Sequence, residues 1–116
     1  MKNYLIEKMD SIDAVACPCG ESKRAFAIPE NGLATFHIVS ISKNSRKHYH
    51  KKMTEIYYVL EGEGELELDD EVLKIGVGTC VMIKPGCRHR AKGELKLINV
   101  AIPAFDESDE YFDEDE

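Results

Sequence analysis

The 116-residue chain has no tryptophan, no surplus of basic residues and no long apolar run. Its longest uninterrupted apolar stretch is the five residues Ile56 to Leu60, far short of the roughly 20 that cross a bilayer as a helix. Near the start Glu7, Lys8, Asp10 and Asp13 break any apolar region that could serve as a secretion signal, so the expected location is cytoplasmic. Lys and Arg number 15 against 22 Asp and Glu, a formal charge of -7. Residues 106–116 hold eight carboxylates and no base, which leaves the preceding 105 residues with 14 acids against 15 bases. A near-neutral body with an acidic end lacks the basic face that binds a phosphate backbone, so no nucleic-acid partner and no membrane partner is expected. Cysteine is also sparse. Cys17-Pro18-Cys19-Gly20 has no second Cys or His pair nearby to complete a zinc knuckle, and the four cysteines read as reduced thiols, the first two in a turn.

What is present is short-period alternation. Leu33, Thr35, His37, Val39 and Ile41 alternate with Ala34, Phe36, Ile38 and Ser40, and similar runs occupy 55–61, 65–68, 79–84 and 94–102. Six of the eight glycines (62, 64, 76, 78, 86 and 93) punctuate residues 62–93. Short strands separated by frequent turn signals predict an all-β fold, an antiparallel sandwich or barrel. At this length one core suffices. Residues 1–20 read as an N-terminal arm or short helix, 21–104 as the barrel and 105–116 as an acidic tail. Glu65 to Leu73 predicts a hairpin turning at Asp69-Asp70, with one apolar face and one solvated acidic face. Ile56, Tyr58 and Leu60 are apolar on one side of their strand while Tyr57 and Val59 are apolar on the other. One side lines the barrel; the other calls for a second layer or a second subunit, and a homodimer is expected.

His48-Tyr49-His50 places two imidazoles at i and i+2, on one face of a strand. Glu55 follows after a loop, and His89 follows Pro85-Gly86. Three imidazoles and a carboxylate are thereby available to one ion. His48-x-His50-x4-Glu55-x6-Gly62 resembles the first motif of the cupin superfamily, and Gly78-x5-Lys84-Pro85-Gly86-x2-His89 resembles the second. The fifteen residues between Gly62 and Gly78 resemble the short inter-motif segment of small single-domain microbial cupins. Ser42, Lys84 and Gly93 stand where the motifs usually carry Gly, Pro and Asn, and none of the three is a ligand position. The resemblance implies a small double-stranded β-helix, or jelly-roll barrel, holding one divalent ion through His48, His50, Glu55 and His89. Imidazole and carboxylate suit Fe, Mn, Ni, Cu or Zn and suit Ca or Mg poorly.

Alternation names the neighbours of that site. Arg46 falls on the same side as His48 and His50, which makes it the candidate for gripping a substrate carboxylate. Tyr57 shares the side of Glu55 and is the candidate catalytic donor; Cys87 and Ala91 share the side of His89, with Arg88 and Arg90 turned away. His37 is a further candidate base. The resemblance allows a metal-dependent enzyme acting on a small polar, carboxylate-bearing molecule, with an oxygenase favoured and an isomerase or lyase next; a non-catalytic ligand-binding or sensing domain is the alternative. In the tail, Phe105 and Tyr111-Phe112 either dock on the barrel or a neighbouring subunit, or belong to a disordered, solubilising end.

Overall fold

A computed structural model describes residues 2–43 and 45–113, so the last three acids of the tail lie outside the described residues. Seven strands carry the regular structure: β1 Val15–Cys17, β2 Gly20–Ala25, β3 Thr35–Ile41, β4 Thr54–Leu68, β5 Glu71–Gly76, β6 Cys80–Ile83 and β7 His89–Ile102. They pair antiparallel in the order β1-β2-β3-β7-β4-β5, and β6 pairs with the first half of β4. The all-β expectation holds. Two single-turn 3-10 helices, Met9–Ser11 and Glu107–Asp109, flank the sheet. Where residues 1–20 are expected as an arm or short helix, the described residues before β1 contain the single 3-10 turn Met9–Ser11, and Leu5 before it is exposed.

The alternation seen in the sequence sorts the strands into faces. In β3, Thr35, His37 and Val39 are buried; in β7, His89, Ala91, Leu95, Leu97, Asn99 and Ala101 are. In β4 the core-facing positions switch from Glu55, Tyr57 and Val59 to Leu66, while Glu67 is buried on the opposite face. The switch is explained by the register shift between Val59 and Glu61, where the extra residue of a bulge reverses the parity of the strand. Beyond the bulge β4 and β7 run so close that a Cβ on Gly93 would lie 2.8 Å from Gly64 Cα, its cross-strand partner. Glycine is required on both strands there.

One half of the interior is apolar. Val59, Leu66 and Leu97 are essentially inaccessible and pack with Val39, Ile75, Ile83, Ala91 and Leu95. Each such aliphatic side chain contributes roughly 1.5–3 kcal/mol by leaving water. The hairpin turns at Asp69, which takes a positive φ of 54°. Its acidic face is not wholly solvated, however. Glu67 is buried beside Lys92 at 2.8 Å, Arg90 at 2.9 Å and Lys47 at 3.6 Å, because register places it opposite Arg90 and one step from Lys92.

Cys17 and Cys19 are joined as a disulfide, which corrects the reading of two reduced thiols. The β1–β2 hairpin explains it: Cys17 pairs with Gly20, so Pro18 and Cys19 form the turn and the two Cα atoms stand 5.2 Å apart. That separation lies within the range a disulfide spans. Cys80 and Cys87 are free.

Candidate metal centre

The other half of the interior is polar. His48 and His89 form an isolated antiparallel bridge, so β7 carries one imidazole directly beside another supplied by the 48–50 segment. Glu55, at the start of β4, pairs across to Ala101 and Ile83 and projects to the same side. The four side chains His48, His50, Glu55 and His89 are all buried, and each offers one ligand atom within 4.8 Å of the others. Metal–nitrogen bonds of about 2.0–2.1 Å put neighbouring donors ~3 Å apart and opposite ones ~4.2 Å apart, which this spread accommodates.

Each imidazole is oriented by a main-chain carbonyl. Nδ1 of His48 is 2.9 Å from the Arg46 carbonyl, that of His50 is 2.8 Å from the Asp109 carbonyl and that of His89 is 2.9 Å from the Cys87 carbonyl. A carbonyl only accepts, so all three Nδ1 atoms donate and the Nε2 atoms are turned toward the cluster. This is how a ligating histidine is commonly held. Glu55 Oε1 lies 3.1 Å from His50 Nε2 and 3.0 Å from His89 Nε2. The approach of His89 is off the hydrogen-bonding line, which leaves its Nε2 buried without a directed partner. Such an atom, facing a carboxylate and two more imidazoles, fits a divalent ion. Burial, reinforced by the nearby His89, lowers the pKa of His48 to about 4. Burial alone would raise that of Glu55, but the hydrogen bond with His50 and the close approach of the His89 ring prevail and hold it well below the ordinary carboxylate range. A neutral imidazole and an ionised carboxylate are the forms that bind metal.

A family model for the cupin domain matches residues 36–100, which includes all four of these residues. The chain belongs to the cupin family. An uncharacterized protein of Methanocaldococcus jannaschii is 30% identical over 76 residues, covering 62% of this chain. This cupin matches about 61% of that relative's length. Among solved structures it is similar to a protein from Planctomyces limnophilus, with 35% identity, a TM-score of 0.85, and coverage of 94% of this chain and 96% of the other. It is also similar in fold to the nucleoside dehydratase Pac13 of Streptomyces, at 19% identity and a TM-score of 0.81 over 94% of this chain and 90% of that one.

Tyr57 is buried, its ring nearly perpendicular to that of His89 with centroids 6.1 Å apart. Burial and the charge of Glu55 raise its pKa well above 10, so it remains a phenol. Arg46 departs from expectation. It is exposed, and its guanidinium lies 3.9 Å from the centre of the Phe112 ring. The segment 45–47 is not strand, so alternation begins at His48 and does not carry Arg46 inward.

Four residues at the site gave no such signal in the sequence. Asn99 donates to Glu55 Oε2 at 2.5 Å, and Arg24 lines a small cavity together with Asn99, Glu55 and His48. Asp109 and Glu110 belong to the acidic end, which folds back over the barrel. Tyr111 makes a bridge with Tyr49 and their rings stack at 5.5 Å; Phe112 lies 6.0 Å from His48; Phe105 lies 5.4 Å from His37. The Asp109 carboxylate accepts from the main-chain N–H groups of Lys51, Lys52 and Met53 at 3.0 Å each. Asn99 was detectable in principle, being polar on the inward side of an apolar strand. Asp109 was one carboxylate among eight.

Proposed function

We propose that this cupin is a metal-dependent enzyme that rearranges a small polar, carboxylate-bearing molecule by proton transfer, as an isomerase or lyase. The observation that carries the reading is one cavity in which two candidate metal ligands, His48 and Glu55, adjoin groups suited to moving protons: Tyr57, His37 and Glu110. An ion held by His48, His50, Glu55 and His89 would supply Lewis-acid polarisation of a ligand oxygen. Burial, then the charge of Arg24, lowers the pKa of His37 to about 4, so it is neutral at pH 7 and able to accept a proton. Tyr57, kept as a phenol, is suited to donate a hydrogen bond or proton. Burial raises the pKa of Glu110, which favours its protonated form more than an exposed carboxyl would.

The three-imidazole, one-carboxylate donor set also suits Fe(II) and oxygen activation, and that observation favours an oxygenase as the second reading. Chelator-stripped protein is first challenged with Fe, Mn, Ni, Cu and Zn in a thermal-shift assay. An ion at 100 times its Kd adds about 2.7 kcal/mol of stability, and His50→Ala is expected to abolish the response. The loaded protein is then incubated with small carboxylic acids in deuterated water. Deuterium entering the carbon beside the carboxylate, without oxygen uptake, supports the isomerase or lyase. Oxygen uptake supports the oxygenase, and binding without either reaction makes the domain a sensor. No response to any of the five metals removes the enzyme reading altogether.

A further inference from the structure

Register across the inner face places four polar side chains in one row. Arg24 on β2 is opposite His37 on β3, His37 is opposite Asn99 on β7, and Asn99 is opposite Tyr57 on β4. Ser22 lies two residues before Arg24 on the same face, in the next row with Val39 and Leu97. On the other side of the row is the line of Thr35, Ala101 and Glu55.

Three buried polar atoms on this face have no hydrogen-bond partner: Ser22 Oγ, Arg24 Nε and Asn99 Oδ1. Ser22 is 2% and Asn99 7% exposed, and all three residues line the cavity that also contains Glu55 and His48. Leaving a buried polar group unpaired costs about 1–3 kcal/mol, so the concentration of such atoms at one place marks a location where a partner belongs. We propose that Arg24 and Ser22 are the subsite for the carboxylate of the small molecule, with its other end directed past Asn99 toward Glu55 and the three histidines. The inference rests on the proposed function only for the identity of that other end.

The chemistry of the pair fits. Arg24 Nε–H and the Ser22 hydroxyl are two donors, and a carboxylate presents two acceptor oxygens. Phe105 covers the face of the guanidinium at 4.1 Å, which leaves the in-plane donors open to a ligand. Of the charged groups around Arg24, Glu110 and Glu107 attract it electrostatically, and His37 is its neutral cross-strand neighbour. Glu110 sits on the wall of the cavity, so the ligand needs a hydrogen-bond donor there, such as the hydroxyl of a hydroxy acid. Strands stand about 4.8 Å apart, which puts Arg24 and Asn99 about 10 Å apart at Cα. A two- to four-carbon acid is long enough to bridge side chains reaching inward from both. As it stands the cavity is about 20 Å³, room for a water molecule. Phe105 and Glu110 form part of its wall, so entry of the acid requires the C-terminal segment to lift.

The test is NMR of the Arg Nε–H groups in full-length, nitrogen-15-labelled protein, metal-free and zinc-loaded, titrated with glycolate, lactate and malonate against the corresponding neutral amides. The Arg24 signal is the one missing from Arg24→Lys. It is expected to shift saturably with the acids and not with the amides. Arg24→Lys should weaken acid binding about tenfold or more, and Ser22→Ala about threefold, with stabilisation by zinc unchanged. No saturable shift with any acid, equal shifts with the amides, or undiminished binding by Arg24→Lys would overturn the subsite. Should Arg24→Lys not fold, the wild-type titration decides alone, with Arg24 assigned through its contact with the Phe105 ring. The two readings separate cleanly. Zinc stabilisation without an Arg24 shift defeats the subsite and spares the metal centre, whereas an Arg24 shift in protein that no metal stabilises does the reverse.

Discussion

Asp109 offers the sharpest perturbation of the C-terminal segment. Its carboxylate is buried and accepts three main-chain N–H groups across a span of 56 to 58 residues. In Asp109→Ala those donors lose their acceptor, but unequally. Lys51 and Lys52 are exposed, so water can reach their N–H groups and each loss amounts to about 0.5–1 kcal/mol. Met53 is 1% exposed, and its stranded N–H costs about 1.5–3 kcal/mol. The sum is about 2.5–5 kcal/mol, a large part of the 5–15 kcal/mol typical of a domain, and about 4 °C of Tm per kcal/mol makes it a fall of about 10–20 °C. Urea denaturation of wild type, Asp109→Ala and Asp109→Asn measures it, with Asn intermediate because its amide oxygen still accepts. Burial alone would raise the Asp109 pKa, but the hydrogen bonds from Met53, Lys51 and Lys52 outweigh it and the net shift is downward. Stability from this group is therefore complete above the unfolded aspartate pKa near 4 and declines as pH falls through the lower folded value, so wild type and Asp109→Asn should converge in acid. A loss below about 0.5 kcal/mol in Asp109→Ala would refute the argument that this carboxylate ties the segment down.

Other perturbations probe different links. Glu67→Gln tests the buried carboxylate whose pKa is lowered to about 2, chiefly by its hydrogen bond from Lys92 and then by Arg90. The cationic partners are partly exposed, so screening leaves about 1–2 kcal/mol; this should be present above pH ~5, shrink as pH falls toward 2, and diminish in high salt. Gly93→Ala forces a Cβ against Gly64 at a φ of 109° and should cost about 2–4 kcal/mol by the same denaturation assay. The outer face of β4 and β6 brings Ile56 opposite Met82 and leaves Tyr58 and Met82 exposed; a homodimer through this face should appear in light scattering and become monomeric in Met82→Glu. Wild-type protein that scatters as a monomer contradicts it.

Most of the strand pattern was legible because a half-buried strand writes its burial into alternate residues. His37, Tyr57, Leu97 and His89 all fall on the sides their neighbours predict. Alternation failed where its premise failed. Residues 45–47 are not strand, so Arg46 points out; the bulge near Leu60 turns Leu66 inward, and Glu67, on the opposite face that was expected to be wet, is buried by Lys92, Arg90 and Lys47. Three residues of the candidate metal centre were legible for a different reason, since two imidazoles at i and i+2 followed by a carboxylate are a local pattern; the fourth, His89, was legible only through the second motif, Gly78 to His89. Arg24 was not legible, because its place depends on which strand pairs with β3. Asp109 was hidden by composition: eight carboxylates in eleven residues read as one solvated charge run, although one of them is buried and accepts three main-chain donors.

The same segment connects stability to the candidate metal centre. The Asp109 side chain holds the 51–53 turn, and its carbonyl accepts from His50 Nδ1. Opening the segment therefore removes both a structural tie and the group that orients one imidazole. Linkage makes the relation reciprocal: an ion that binds better when His50 is oriented must favour the docked segment by the same free energy by which docking favours the ion. Losing a carbonyl partner of a ligating histidine typically costs 10–100-fold in metal affinity, about 1.4–2.7 kcal/mol. The entry of a carboxylate beside Arg24 makes the opposite demand, since Phe105 and Glu110 wall that cavity and must move. Metal and acid consequently pull on the C-terminal segment in opposite directions until the acid is in place. Zinc loading should slow hydrogen exchange at the Met53 amide, and glycolate added to the zinc form should alter that rate in wild type but not in Arg24→Lys.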